Sequence, residues 1–103
     1  MIVAFSVAPS GDGRSDGSVH DAVAAAVAVV RASGLPNSTS SMFTEIEGDW
    51  DEVMAVVKAA TEAVLPFGSR VSLVLKADIR PGHTQEMTGK VARLEAALAD
   101  GEK

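Results

Sequence analysis

The chain contains no cysteine, which excludes disulfides, thiolate catalysis and zinc–sulfur sites. It also contains no tyrosine and only two histidines. Basic side chains are few: nine Lys and Arg stand against fourteen Asp and Glu, for a formal net charge of −5. Nucleic acid calls for a basic footprint, so this balance argues against it as a partner. No apolar run approaches the length of a membrane span. The apolar opening MIVAFSVAP lacks the basic n-region of a signal peptide and alternates like a strand, so a cytoplasmic location is expected. What the chain does have is 47% hydrophobic residues over 103 positions. That is enough to fold, and it suits one domain, residues 1–103, with a single core.

Hydropathy patterning divides the chain into seven segments. Met1–Ala8 reads as a strand, followed by a Gly/Ser/Asp loop over Pro9–Gly17. Ser18 is a helix N-cap with Asp21 three residues on, and Val19, Val23, Ala26, Val27 and Val30 follow at helical spacing. Gly34 stops that helix, with Pro36 beyond it. Asn37–Met42 and Phe43–Glu47 read as two short extended segments joined near Ser41–Phe43. Asp49 caps a second helix, with Glu52 three residues later and an apolar stripe of Trp50, Val53, Val57, Ala60 and Val64. Pro66-Phe67-Gly68 ends it. Val71–Arg80 alternates with a period of two, so Val71, Leu73, Leu75, Ala77 and Ile79 face a core. Ser72, Val74, Lys76, Asp78 and Arg80 then face the other way. After the Pro81-Gly82-His83 turn, a third helix is expected from Thr84, carrying Met87, Val91, Leu94 and Leu98 on one side, with Asp100–Lys103 as a frayed tail.

The order strand, helix, strand, strand, helix, strand, helix is that of an α+β, ferredoxin-like βαββαβ sandwich with an additional C-terminal helix. Two helices cover one face of a four-stranded antiparallel sheet and leave the other open. The open face carries Ile2, Ala4, Ser6 and Ala8 beside Val74, Lys76, Asp78 and Arg80. Its mixture of apolar and polar groups suits packing against another subunit, and the third helix is free to reach a neighbour.

Few groups point to chemistry. His20 and His83 lack a metal-ligand spacing and read as structural or solvated. Asp49, Asp51 and Glu52 complement a helix dipole. Glu45 and Glu47 share a strand face, and read as solvated. The loop GDGRSDG has the composition of a phosphate cradle but neither a Walker lysine nor a GxGxxG pattern. Lys76, Asp78 and Arg80 carry more weight: as a half-buried set they need partners, and Lys76 and Asp78 can pair with each other. With Ser6 on the same face and the hydroxyls of Ser38–Ser41 nearby, they outline a polar pocket for a small heteroaromatic ligand. No nucleophile–base pair is visible, so the expectation is a binder and not a catalyst, with no cofactor and no metal.

The segments MIVAFSVAPSG, MFTEIEGDWDEVMAVVKAA and SRVSLVLKADIRPG, with the helix after the last, resemble those of the small thiamine-binding protein family, and the likeness covers nearly the whole chain. The most specific stretch runs from Met42 to Glu52, with Thr44, Glu47, Gly48, Trp50, Asp51 and Glu52 in the expected order; Lys76-x-Asp78-x-Arg80 comes next. The family often has proline and glycine flanking the methionine, where this chain has Ser41 and Phe43. The resemblance implies a ferredoxin-like protein that self-associates through its sheets into dimers or tetramers. It further implies reversible binding of thiamine or its aminopyrimidine precursor without turnover, in a carrier or sensor role. Under that implication Glu45, Glu47 or Asp78 offsets the thiazolium, and Ser6, Asn37, Thr39 and Ser41 bond the aminopyrimidine edge. Met42 or Phe43 contacts the ring, with Thr44, Lys76 and Arg80 completing the candidate set. Two other functions suit the same fold: a small dimeric enzyme of monooxygenase or isomerase type, and an amino-acid-binding regulatory module.

Overall fold

The computed structural model describes residues 1–11 and 20–101. The elements are β1 (Ile2–Ser10), α1 (His20–Ala32), β2 (Asn37–Thr39), β3 (Thr44–Glu47), α2 (Trp50–Val64), a short 3-10 turn (Leu65–Phe67), β4 (Arg70–Asp78) and α3 (Glu86–Gly101). The strands form one antiparallel sheet in the order β2-β3-β1-β4. That order, with two crossover helices, is the expected ferredoxin-like arrangement. The proposed cap Ser18, the stripe residue Val19 and most of the Pro9–Gly17 loop lie outside the described residues.

Alternation in β1 sends Val3, Phe5 and Val7 to the helix side, where they are buried with Ile46 of β3. From α1 come Ala22, Ala26 and Val30, and from α2 come Val53, Val57, Ala60 and Val64. The small alanines let both helices lie close on the sheet. They also rotate the buried line of α1 by one position from the valine stripe: Val23 is exposed and Val27 half-buried, toward the sheet edge. Trp50 is likewise more exposed than its stripe implies, at 56%, because it opens α2 beyond the end of the core.

The ends of the elements follow the expected local chemistry. Glu52 accepts a hydrogen bond from the Asp49 backbone N–H at 3.4 Å, half of a capping box. Gly34 ends α1 at φ +75° with open space where a Cβ would stand. Gly34→Ala therefore carries only the backbone penalty of the left-handed region, about 1 kcal/mol. A melting temperature lower by roughly 4–8 °C is the expected result, checked by thermal denaturation of both chains.

The β4 alternation holds through Ala77, with Val71, Leu75 and Ala77 packed on the core. Leu73 departs from it, 42% exposed, because β4 is an outer strand and nothing flanks it on that side among the described residues. Ile79 and Arg80 lie beyond the strand. Arg80–His83 form a turn with Pro81 second and Gly82 third at φ +79°, closed by the His83 N–H on the Arg80 carbonyl at 3.1 Å. Gln85 follows at φ +56°, so α3 starts at Glu86 and not at Thr84. It continues through Asp100 to Gly101, and the last two residues of the expected tail lie outside the described residues. Its stripe residues Val91, Leu94 and Leu98 are all exposed. The helix projects from the sandwich, which explains a radius of gyration of 16.0 Å against about 13 Å for a compact chain of this size.

Candidate ligand-binding site

The two ladders of β1 differ in length. Pairing with β4 continues to Ser10↔Arg70, while pairing with β3 stops at Phe5↔Thr44. Past Phe5, β1 has lost its neighbour on that side, and the chain between β2 and β3 folds into a tight turn. The turn is closed by the Ser40 N–H donating to the Phe43 carbonyl at 2.9 Å, with the Ser40 hydroxyl donating to the same oxygen at 3.0 Å. The hairpin expected near Ser41–Phe43 is therefore present, with Thr39 opposite Thr44 and their hydroxyls 3.4 Å apart.

The gap left beside β1 is a cavity of about 200 Å³. Its floor is core: Phe5, Val7 and Ala26. One wall is the outward line of α1, Val23 and Val27, and the other is Thr39–Thr44 with Ser6 and Ala8. Three of the lining side chains, Thr39, Ser41 and Thr44, carry hydroxyls that can each donate and accept, while Ser6, opposite Val74, lines the cavity from the strand whose alternation turns its side chain to the open face. Met42 stands 74% exposed at the mouth beside Phe43. No lining residue among those described is ionisable. An apolar floor with a few convergent hydroxyls is the composition of a small-molecule site, and the volume is below the ~300–1,000 Å³ of sites that enclose drug-sized ligands. It suits one ring.

Of the residues singled out from sequence, Ser6, Thr39, Ser41, Met42, Phe43 and Thr44 line this cavity. The other six do not; Glu45 is exposed opposite Ala4 on the open sheet face. Asn37 sits at the far end of the hairpin, its side-chain amide donating to the Leu35 carbonyl at 2.8 Å. Lys76 lies opposite Ala4 on the open sheet face. Glu47, Asp78 and Arg80 gather at the other end of the sheet, around the start of α3. Lys76 and Asp78 do not pair, since Asp78 is instead bonded to Lys90.

Glu47 is the larger surprise. It reads as a solvated carboxylate, yet it is 6% exposed. Its Oε2 accepts the Glu86 N–H at 2.6 Å and its Oε1 the Met87 N–H at 3.2 Å. A carboxylate from β3 thus satisfies the orphan donors at the N-terminus of α3 and complements its dipole. Glu86 is buried beside it and accepts from Arg93 Nη2 at 2.7 Å, with Arg80 Nη1 at 4.0 Å and His83 Nδ1 at 3.7 Å. His83 is thus part of this cluster, and His20 opens α1 at the surface. Among the described residues no group of three or more His, Asp or Glu could hold a metal.

The Arg93 hydrogen bond holds the Glu86 carboxyl below the usual 4.5 against the opposing effect of burial, and Lys90 holds Asp78 below 3.8. Depressed carboxyl values stabilise the folded state above the ordinary pKa, and that contribution is lost as pH falls through the folded value. The attachment of α3 is therefore expected to hold at neutral pH and to weaken progressively below about pH 4.5. Amide exchange of the first turn of α3 between pH 6 and 3, against the α2 amides as reference, measures this. Equal behaviour of the two helices would contradict it.

The structure is that of a small α+β protein, an antiparallel ferredoxin-like sheet with a neutral, hydroxyl-bearing cavity beside β1. The chain belongs to the thiamine-binding protein family, whose profile matches residues 3–95. It is 56% identical over 99 residues to a UPF0045 protein of Mycobacterium bovis, covering 95% of this chain and 94% of that one. A solved structure from Methanocaldococcus jannascii superposes with a TM-score of 0.80 at 31% identity, covering 91% of this chain and 94% of the other. A candidate thiamine biosynthesis/salvage protein from Thermotoga maritima superposes at 0.74 with 26% identity, covering 90% and 96%. Among the described residues no helix is long and apolar enough to cross a membrane.

Proposed function

We propose that this chain binds thiamine, or the aminopyrimidine fragment of it, reversibly and without turnover, as a cytoplasmic carrier or sensor. The observation that carries the reading is the cavity beside β1, in a chain of the thiamine-binding family. The aminopyrimidine ring enters over Phe5 and Ala26, and its ring nitrogens and amino group meet the hydroxyls of Thr39, Ser41 and Thr44. The thiazolium remains at the mouth, where the Phe43 ring offers a cation–π contact. Asp78, Lys76 and Arg80 lie away from this cavity and take no part in the reading. The lining supplies hydroxyl and apolar groups, which favours binding over catalysis, and no cofactor is invoked.

The open sheet face and the apolar stripe of α3 support self-association of the chain into a dimer or tetramer through sheet faces. Val74, Val91, Leu94 and Leu98 are each more than half exposed, a cost in water that a second copy would relieve.

Isothermal titration of the ligand-stripped protein with thiamine, the aminopyrimidine fragment and thiamine phosphate tests the proposal. Saturable binding of thiamine, about tenfold weaker in both Thr39→Ala and Ser41→Ala and unchanged in Asp78→Ala, is the expected result. Each lost hydrogen bond is worth about 0.5–1.5 kcal/mol. No heat from any of the three ligands would overturn it.

A further inference from the structure

The far end of the sheet from the hydroxyl-bearing cavity holds a second cavity of different character. Its volume is about 360 Å³, and it lies where the start of α2 meets the turn between β4 and α3. Asp49 and Trp50 line it from the helix start, and Ile79, Arg80, Pro81 and His83 from the turn. A neighbouring cavity of about 240 Å³ shares Asp49 and His83 and adds the apolar wall of Leu35 and Pro36. The cavity beside β1 has no ionisable lining residue among those described, whereas this one has a carboxylate, a guanidinium and an imidazole.

Two features of the lining serve no purpose in the fold. The first is apolar exposure. Trp50 and Ile79 are 56% and 57% exposed within one concave surface, which is where a small molecule gains most by leaving water. The second is charge left uncombined. Asp49 caps α2 and makes no ion pair among the described residues. Arg80 and His83 approach Glu86 only at 4.0 and 3.7 Å, too far for hydrogen bonds, while Arg93 holds that carboxylate at 2.7 Å. The donors of Arg80 therefore stay open to a ligand. Met1 also borders the cavity, but its ammonium is bonded to the Gly48 carbonyl at 2.8 Å.

A plain anion in this cavity would face Asp49, and a plain cation would face Arg80, so one part of the lining repels each. A ligand that carries an ammonium and a carboxylate together answers both. Charge-assisted hydrogen bonds are the strong ones, and the arginine fork matches a carboxylate in geometry. The rest of the lining, Trp50, Ile79 and Pro81, calls for an apolar substituent, with Leu35 and Pro36 beyond it. We propose that this cavity is a second small-molecule site whose ligand is a free α-amino acid with a large apolar side chain. The ammonium meets Asp49, the carboxylate meets Arg80 and His83, and the side chain lies on the Trp50 indole. The site shares no lining residue with the cavity beside β1 and does not rest on the thiamine reading.

The chain has one tryptophan and no tyrosine, so its tryptophan fluorescence reports on Trp50 alone. Titration with L-phenylalanine or L-leucine is expected to shift that emission saturably, and excess thiamine to leave the titration unchanged. Blocking either charge of the ligand, as in N-acetyl-L-phenylalanine or L-phenylalaninamide, is expected to weaken binding at least about tenfold, the effect of losing a hydrogen bond between charged groups. Asp49→Asn and Arg80→Gln are expected to weaken it as much from the protein side. Asparagine caps a helix as well as aspartate does, so Asp49→Asn keeps α2 intact, which circular dichroism checks. No saturable change with either amino acid, with no heat in calorimetry, overturns the proposal. N-acetyl-L-phenylalanine binding as tightly as the free amino acid also overturns it, since the ammonium would then make no contact. Thiamine binding is read in its own titration, so the failure of one site is distinguishable from the failure of the other.

Discussion

Val23→Trp is expected to fold normally and to lose thiamine binding by at least about a hundredfold, equivalent to ~2.7 kcal/mol. Val23 is 42% exposed on the outward line of α1 and forms a wall of the cavity. An indole there has solvent to expand into, so the core is not overpacked. Tryptophan and valine also have similar helix propensities, which keeps the cost to α1 small. The cavity itself, about 200 Å³, has no room for both an indole and a ring. Titration calorimetry beside a melting curve checks the result. Retained affinity in a folded Val23→Trp chain would move the ligand away from this cavity, whatever the fate of the hydroxyl variants.

Glu47→Gln is expected to release the first turn of α3 while sparing the sandwich. The substitution preserves shape but removes the charge and one acceptor from a buried group that satisfies the N–H groups of Glu86 and Met87. Hydrogen bonds to a charged group contribute about 1.5–3 kcal/mol, so exchange of those two amides should accelerate roughly 10- to 100-fold. Amides of β1, buried under both helices, should keep their protection. Hydrogen exchange followed by NMR separates the two regions. Uniform acceleration across the chain would show that α3 is coupled to the core and not merely pinned to it.

The fold was legible because local signals agreed with one another. Alternation in β1, the Gly34 stop and the Asp49 cap each named an element, and their order named the sandwich. The errors share one cause, since a hydropathy stripe shows which residues prefer burial but not how far the neighbouring layer extends. Trp50 and Ile79 lie past the ends of the core, and Leu73 lies at its margin. Val23 was displaced from the core by the alanines beside it, into the cavity wall. The hairpin hydroxyls could be named for a candidate site because polar residues clustered at a turn, and they line the cavity. The floor of that site could not, because Phe5 and Val7 look like any core residues until β3 is seen to stop at Thr44. The role of Glu47 depends on a contact 39 positions away in sequence, and no local pattern encodes it.

The cavity floor, Phe5, Val7 and Ala26, is at the same time part of the buried cluster that holds α1 on the sheet. A ring seated there is in packing terms a detachable core side chain, and its loss is a reversible large-to-small substitution. Occupancy and global unfolding are then two ends of one equilibrium: ligand at a hundred times its Kd adds about 2.7 kcal/mol to the folded state. Under the proposed function, because proteolysis acts on opened chains, a change in ligand concentration would become a change in the half-life of the protein. On that footing a carrier becomes a sensor with no moving part, its abundance serving as the signal.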